Sequence, residues 1–389
     1  MLKTLKDFDV KNKRVLVRCD FNVPLDEKGL ILDDFRIRQS LATIKYLIEK
    51  GAKLILMSHL DKPGGKIVEK LKFDKIKEKL AEYLPETTVI KVEDCISKEI
   101  EEMSRKIKPG DILLLENLRF HKEEEANVDS FAKELSKLGE IYINDAFGTC
   151  HRAHASIVGI PKYLPSGIGF LLKKEIEVLS KVLENPYHPL VVIIGGVKIS
   201  TKIKVINKFL EIADHLILGS KLAETILIVK GILVGRKLPE KDISEEIEKI
   251  ELTDRKLHLP PDVVMSLPSL DERYIRIGAI GTARKDEEIY DIGPEAIKIF
   301  SEIIKGANMI VWNGPVGYFE KSQFREGTKK IVYSICRNYK AFKVAGGGET
   351  DLYLYQSKLR EKFNHVSTGG GAMLKFLGGE KLSGIEALK

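Results

Sequence analysis

The stretch PSGIGFLLKKEIEVLSKVLENP occupies residues 165–186, near the middle of a chain of 389. Between its two prolines, Ile168, Leu171, Leu172, Ile176, Leu179, Val182 and Leu183 recur at spacings of three and four, the period of a helix with one apolar face. Ser166 and Gly167 read as a start signal, and Asn185 and Pro186 as a stop. This predicts a helix of about five turns, roughly 25 Å long at about 1.5 Å per residue. A chain of this length exceeds the roughly 250–300 residues at which a single core stops growing, so two domains are expected. The helix lies where they would join.

Composition narrows the class. With 43% hydrophobic and 31% charged residues, and no apolar run near membrane-spanning length, the sequence reads as a globular protein without a membrane segment. The first residues, MLKTLKDFDVKNKR, hold no apolar stretch of signal-peptide length. Cys19, Cys95, Cys150 and Cys336 are far apart and lack CxxC spacing, which predicts neither a zinc site nor a disulfide framework and fits a reducing cytoplasm. A net charge of +7 is compatible with nucleic acid, yet an anionic small ligand explains it as well.

N-terminal to the helix, short apolar runs at 15–17, 54–57, 112–115 and 141–143 alternate with amphipathic stretches such as 38–49 and 73–83, the pattern of a mostly parallel sheet covered on both faces. Polar groups follow each run: Arg18, Asp20 and Asn22; Ser58, His59 and Lys62; Glu116, Asn117, Arg119 and His121; then Asn144, Asp145, His151, Arg152 and His154. Taken singly, each would serve as a solvated charge or a structural histidine. In a parallel sheet, however, these strand ends share the rim where ligands of open α/β folds bind. A cationic rim binds an anion.

C-terminal to the helix a second α/β pattern starts, with a strand at 190–194, a Gly195-Gly196 turn, a helix over 199–212 and a strand at 216–218. Lys198 and Lys202 fall around the first turn of that predicted helix, where the positive end of the macrodipole disfavours cations unless an anion is near. Glycine triplets at 346–348 and 369–371 each follow an apolar run, and IVW (310–312) leads into NGPVG (313–317). Such junctions let phosphate approach the backbone. No GxxxxGK[ST], GxGxxG or GxSxG pattern stands in the right context, which argues against a P-loop protein, a dinucleotide dehydrogenase and a serine hydrolase. A basic first lobe and a glycine-rich second lobe point to phosphoryl transfer, chemistry that needs positioned cations and a metal more than covalent help. A non-catalytic RNA or anion binder is disfavoured by the low aromatic content of 7%. A kinase for another acidic metabolite is the nearer alternative.

The segments VLVRCDFNVPL (15–25), SHLDKP (58–63), LLENLRFH (114–121), NDAFGTCHRAHAS (144–156), GFLLKKE (169–175), IIGGVKISTK (193–202), VWNGPVGYFE (311–320), AGGGET (345–350) and HVSTGGGA (365–372) together resemble phosphoglycerate kinase, in order and over the whole chain. The resemblance implies two Rossmann-like α/β domains, 1–164 and 186–378, joined by a hinge helix at 165–185, with 379–389 folding back to complete the first. It implies a monomer that uses no nucleic acid, binds 3-phosphoglycerate or 1,3-bisphosphoglycerate in the first domain and holds ADP or ATP with Mg2+ in the second. Arg18, Asp20, Asn22, Arg36, His59, Lys62, Arg119 and Arg152 are then expected on the phosphoglycerate side. Lys174, Lys198, Lys202, Gly219, Asn313, Glu320, Gly346, Gly347, Gly348, Glu349 and Thr350 are expected on the nucleotide side, with Glu349 at the metal. Arg36, Lys198, Gly347 and Gly370 would face the transferring phosphoryl group. The sequence departs from the family pattern at Asp61-Lys62, where Gly-Arg is usual, at Glu349, where Asp is usual, and at Gly219-Ser220-Lys221, which replaces a glycine run. Lys62 keeps the charge of arginine but lacks its bidentate fork.

Overall fold

A computed structural model of the chain describes residues 2–270 and 272–389. It forms two compact units, one built from the chain up to Glu177 together with Lys381–Lys389, the other from Val178–Glu380. Each unit is organised by a six-stranded sheet.

In the first unit the strands are β1 (Arg14–Arg18), β2 (Lys53–Met57), β3 (Val89–Lys91), β4 (Ile112–Leu114), β5 (Ile141–Asn144) and β6 (Ser166–Ile168), in the order β3-β4-β2-β1-β5-β6 and parallel throughout. The central strands are buried along nearly their whole length, which is why they read as continuous apolar runs rather than alternations. Val15, Val17, Leu54, Leu56, Ile112 and Ile143 pack with Ile37, Ile44 and Leu47 of the helix Phe35–Glu49. The strand order reverses between β1 and β5, the topological position at which open α/β sheets bind ligands.

The second unit holds β7 (Leu190–Ile194), β8 (His215–Leu218), β9 (Leu257–His258), β13 (Met309–Asn313), β14 (Phe342–Gly346) and β15 (His365–Ser367) in the parallel order β15-β14-β13-β7-β8-β9. Its reversal lies between β7 and β13, where Ile194 is paired with Asn313. A three-stranded antiparallel sheet of β10 (Asp262–Ser266), β11 (Arg276–Ala279) and β12 (Glu288–Ile292) accompanies it, an element the sequence reading lacked.

Two expectations are corrected. The central helix runs over Phe170–Glu184, 15 residues or about 22 Å, and Ser166 and Gly167 do not start it. They belong to β6, which pairs with Tyr142–Asn144; a Cβ on Gly167 would lie 2.6 Å from the Phe8 ring, so the strand packs tightly over the N-terminal segment. The predicted helix at 199–212 is instead a 3-10 turn, Ile199–Thr201, followed by the α-helix Ile203–Ile212. Lys202 marks the junction.

Candidate active site

At the carboxyl rim of the first sheet, Arg36, carried on the first turn of the helix Phe35–Glu49, donates from Nη1 to Asp20 Oδ2 at 3.0 Å. Asp20 is almost completely buried and also accepts from the Asn22 backbone N–H at 3.1 Å. Asn22 Oδ1 in turn accepts from the Asp61 N–H at 2.8 Å, and Arg119 Nη1 donates to the Asp61 carbonyl at 2.7 Å. Asp61 thus ties two rim residues through its backbone, and its side chain is not needed for that. Arg152 and the buried His59 complete the group, while Lys62 is exposed at its edge.

The imidazoles of this cluster are uncharged. Burial first, and then the positive charges of Arg18, Arg119 and Arg36, push His59 well below its usual value. Burial, Arg119, Arg18 and Arg152 bring His154 down to about 3. Positive charge at the rim therefore comes from guanidinium groups, which match carboxylate and phosphate bidentately.

Arg18 ends β1 at this same rim. It is completely buried, and each of its three nitrogens faces protein: Nε donates to Ser156 Oγ at 2.9 Å, Nη1 to the Cys19 carbonyl, and Nη2 lies 3.3 Å from His59 Nδ1. It is the last residue of a buried strand, and these contacts brace the rim.

At the reversal point of the second sheet, two loops cross at backbone distance. Gly195 N–H donates to the Asn313 carbonyl at 2.9 Å and Gly196 N–H to the Pro315 carbonyl at 2.7 Å. A Cβ on Gly195 would fall 1.9 Å from Pro315 O, so only glycine lets these loops meet. Asn313 Nδ2 donates to the Gly346 carbonyl at 2.8 Å, and the buried Thr350 Oγ1 accepts from the Gly314 N–H at 2.7 Å. Asn313 and Thr350 hold the loops. Gly347 and Gly370 immediately precede the helices Gly348–Ser357 and Gly371–Leu377, and a Cβ on Gly348 or Gly370 would meet nothing within 4 Å.

Between these loops lies a cavity of about 260 Å³. Gly196, Val197, Lys221, Glu288, Tyr290, Tyr318, Glu320, Glu349 and the Pro315–Gly317 backbone line it; Gly196 neighbours Glu349, and the rings of Tyr290 and Tyr318 stack with centroids 6.2 Å apart. Lys202 Nζ donates to the Gly195 carbonyl beside this wall, and burial, partly offset by Glu349, lowers its ammonium to about 8. A Cβ on Gly219 would lie 3.0 Å from the α-carbons of both Gly195 and Val316, so the three backbones pack tightly there. Lys198 is exposed at the N-cap of the 3-10 turn, adjacent to the wall residue Val197. Lys174 is exposed on the helix Phe170–Glu184 and belongs to the first unit.

The tyrosines were not found from sequence: Tyr290 comes from β12, whose sheet went unrecognised, and stacks on Phe324 with ring centroids 4.7 Å apart. Nor was the trio Asp94, Cys95 and His121, which the fold gathers within 4.8 Å. Its members are already paired, His121 Nε2 with Asp94 at 2.5 Å and the Cys95 thiol with the Glu116 carbonyl at 3.1 Å.

A family model for phosphoglycerate kinase matches residues 5–380. Phosphoglycerate kinases of Finegoldia magna and Dictyoglomus turgidum are each 44% identical over 99% of this chain and 98% of their own length. The solved phosphoglycerate kinase of Coxiella burnetii superposes with a TM-score of 0.83 at 34% identity, covering 100% of this chain and 99% of that one. That of Pyrococcus horikoshii gives 0.83 at 32%, with 100% and 98% covered. With relatives of this identity matched almost end to end, the chain belongs to the phosphoglycerate kinase family.

Proposed function

We propose that the arginine-rich rim of the first unit holds 3-phosphoglycerate through Asn22, Arg36, His59, Arg119 and Arg152, with Asp20 orienting Arg36. The cavity of the second unit takes the nucleotide, its tyrosine side against the base and its Gly196–Glu349 side against the phosphates. The reaction of the family is reversible transfer of the acyl phosphate of 1,3-bisphosphoglycerate to ADP, giving 3-phosphoglycerate and ATP. The observation that carries the residue assignment is that each unit offers a rim at its topological reversal point, one supplying guanidinium forks and the other open glycine backbone beside a cavity.

The attacking atom is an oxygen of the ADP terminal phosphate or, in reverse, of the substrate carboxylate. Both are ionised at neutral pH, so no general base is required. Arg36 carries a rigid fork, held from one side by Asp20, with which to follow negative charge between donor and acceptor oxygens. Lys198, exposed next to the cavity, is placed to meet a transferring phosphoryl group, whereas Lys202 is fixed at the wall. Glu349 offers a hard carboxylate oxygen at the phosphate side of the cavity and fits Mg2+, which when bound neutralises phosphate charge. Its reach is one methylene longer than that of the usual aspartate.

The helix Phe170–Glu184, which passes from one unit into the other, is proposed as the hinge. One chain carries both rims, so a monomer suffices, and four free cysteines suit a reducing cytoplasm. The test is a coupled assay of ATP-dependent consumption of 3-phosphoglycerate with the wild type and Arg36→Ala. The variant is expected to lose at least about a hundredfold in turnover with little change in ADP affinity. Near-normal turnover would remove Arg36 from the mechanism.

A further inference from the structure

Glu124 lies outside every motif used above, yet its carboxyl is completely buried. Its Oε2 accepts from the Ser156 backbone N–H at 2.9 Å and its Oε1 from the Ser156 hydroxyl at 2.6 Å. The same hydroxyl oxygen accepts from Arg18 Nε at 2.9 Å. A hydroxyl has one proton; because Glu124 takes it, only lone pairs are left to face Arg18. Glu124 Oε1 is also 3.9 Å from Arg18 Nη2 and 3.8 Å from His154 Nδ1. His154 is neutral, so the buried guanidinium is the charge that Glu124 offsets.

At its other end Arg18 meets His59, with Nη2 and Nδ1 3.3 Å apart. Guanidinium can only donate, so Nδ1 must accept, and a neutral imidazole that accepts at Nδ1 carries its proton on Nε2. Among the described residues no group pairs with that Nε2. We infer that the chain Glu124–Ser156–Arg18 fixes His59 in the Nε2–H tautomer, so that an uncharged histidine presents a hydrogen-bond donor to an anionic oxygen of the substrate. Glu124 is thus a positioning residue, acting through two others. The inference rests on the proposed substrate side but concerns the proton on one atom.

Glu124→Gln tests it. An amide oxygen can accept from one Ser156 donor while its NH2 group must donate, which turns the serine proton toward Arg18 and frees the guanidinium from its place. Imidazole nitrogen spectra of histidine-labelled protein, with His59→Gln supplying the assignment, are expected to show the Nε2–H form of His59 in the wild type and a mixture of tautomers in Glu124→Gln. The KM for 3-phosphoglycerate should rise by about tenfold while the nucleotide KM holds. Ser156→Ala breaks the same chain without removing a buried charge and should give the same pair of changes, even if Glu124→Gln fails to fold. The double variant should be no worse than the more impaired single one, because the two act in series. The Nδ1–H tautomer in the wild type overturns the inference, as does an unchanged tautomer and KM in Ser156→Ala, or additive losses in the double variant. A wild type that does not consume 3-phosphoglycerate would refute the functional reading instead, and the wild-type tautomer would still decide the proton's place.

Discussion

Lys202 stands where the chain passes from a 3-10 turn into the helix Ile203–Ile212, so burial and the positive end of the helix dipole both oppose its charge. Its folded value of about 8 lies below the ordinary 10.5. Below pH 8 the folded and unfolded chains are both protonated there and the full cost is present. As pH rises from about 8 to about 10.5 the unfolded chain holds more protons, so stability increases through that window. The cost is on the order of 3 kcal/mol at neutral pH. Lys202→Met, which keeps most of the stem, should therefore stabilise the ligand-free protein at pH 7, lose that advantage by about pH 10.5, and weaken nucleotide binding. Urea unfolding at several pH values with ADP titration checks it; destabilisation at pH 7 would mean that the contacts to Gly195 and Glu349 outweigh burial. Lys198→Ala, at an exposed site, should leave stability alone and lower turnover by about a hundredfold. The sequence assigned Lys198 to the transferring phosphoryl group and Lys202 to the nucleotide, but it put both on one helix; the break at Lys202 was not legible in it. The same limit hid Glu124 and Ser156, which meet across 32 residues, and Arg18 and Ser156, which meet across 138.

At the next scale, three helices are capped by carboxyls from other elements rather than by their own first residues. Asp145, just after β5, accepts from Leu172 N–H at 3.1 Å at the head of Phe170–Glu184, where Thr43 Oγ1 accepts from Phe170 N–H at 2.9 Å. Asp262 does the same for Ala296 at 2.8 Å and Asp291 for Gly327 at 2.7 Å. Such caps satisfy N–H groups that the helix itself leaves open. They require room: a Cβ on Gly169 would lie 2.2 Å from Asp145 Oδ1, and Gly169→Ala should cost about 1–3 kcal/mol in thermal or urea unfolding. Burial raises Asp145 to about 7, against hydrogen bonds from Thr43, Leu172 and Leu171 that favour its charged form. Because the folded value exceeds the unfolded one, the wild type loses stability as pH rises from about 4 to about 7 and stays level above. The stability of Asp145→Asn minus that of the wild type should accordingly grow across that window; a flat difference would mean that Asp145 is ionised throughout. The long apolar periodicities were legible because burial writes them into sequence: β1, β2, β7 and β13 and the face of the central helix all follow it. Its start was not legible, since Thr43 and Asp145 set it from more than twenty residues away. The strands β10 to β12 were lost for another reason, their half-buried alternation being broken by charged residues and a register shift between Val264 and Met265.

Over the whole chain, the first unit is closed by residues from both ends of the sequence. Leu382, Ile385 and Leu388 of the last segment are buried, and Gly384 N–H donates to the Cys150 carbonyl at 2.8 Å. A Cβ on Gly384 would fall 2.6 Å from Ile157 Cγ2, so the helix Ser383–Glu386 lies directly on the turn Ala155–Gly159 that contains Ser156. Three buried aliphatic side chains contribute about 1.5–3 kcal/mol each, comparable in sum with the whole margin of a small domain. Removing residues 381–389 should therefore lower the unfolding temperature of the first unit, free the Ser156 turn and with it Arg18 and His59, and abolish 3-phosphoglycerate binding. That segment belongs to the first unit, so ADP binding by the second should persist. Calorimetric unfolding combined with separate titrations of the two ligands tests this, a single Tm being inadequate for two units that need not melt together. Gly384→Val applies the same stress more gently and should raise the KM for 3-phosphoglycerate without touching that for nucleotide. Equal loss of both ligands on truncation would show that the segment supports the folding of the entire chain, and unchanged binding of 3-phosphoglycerate would show that the Ser156 turn holds its shape without the terminal helix.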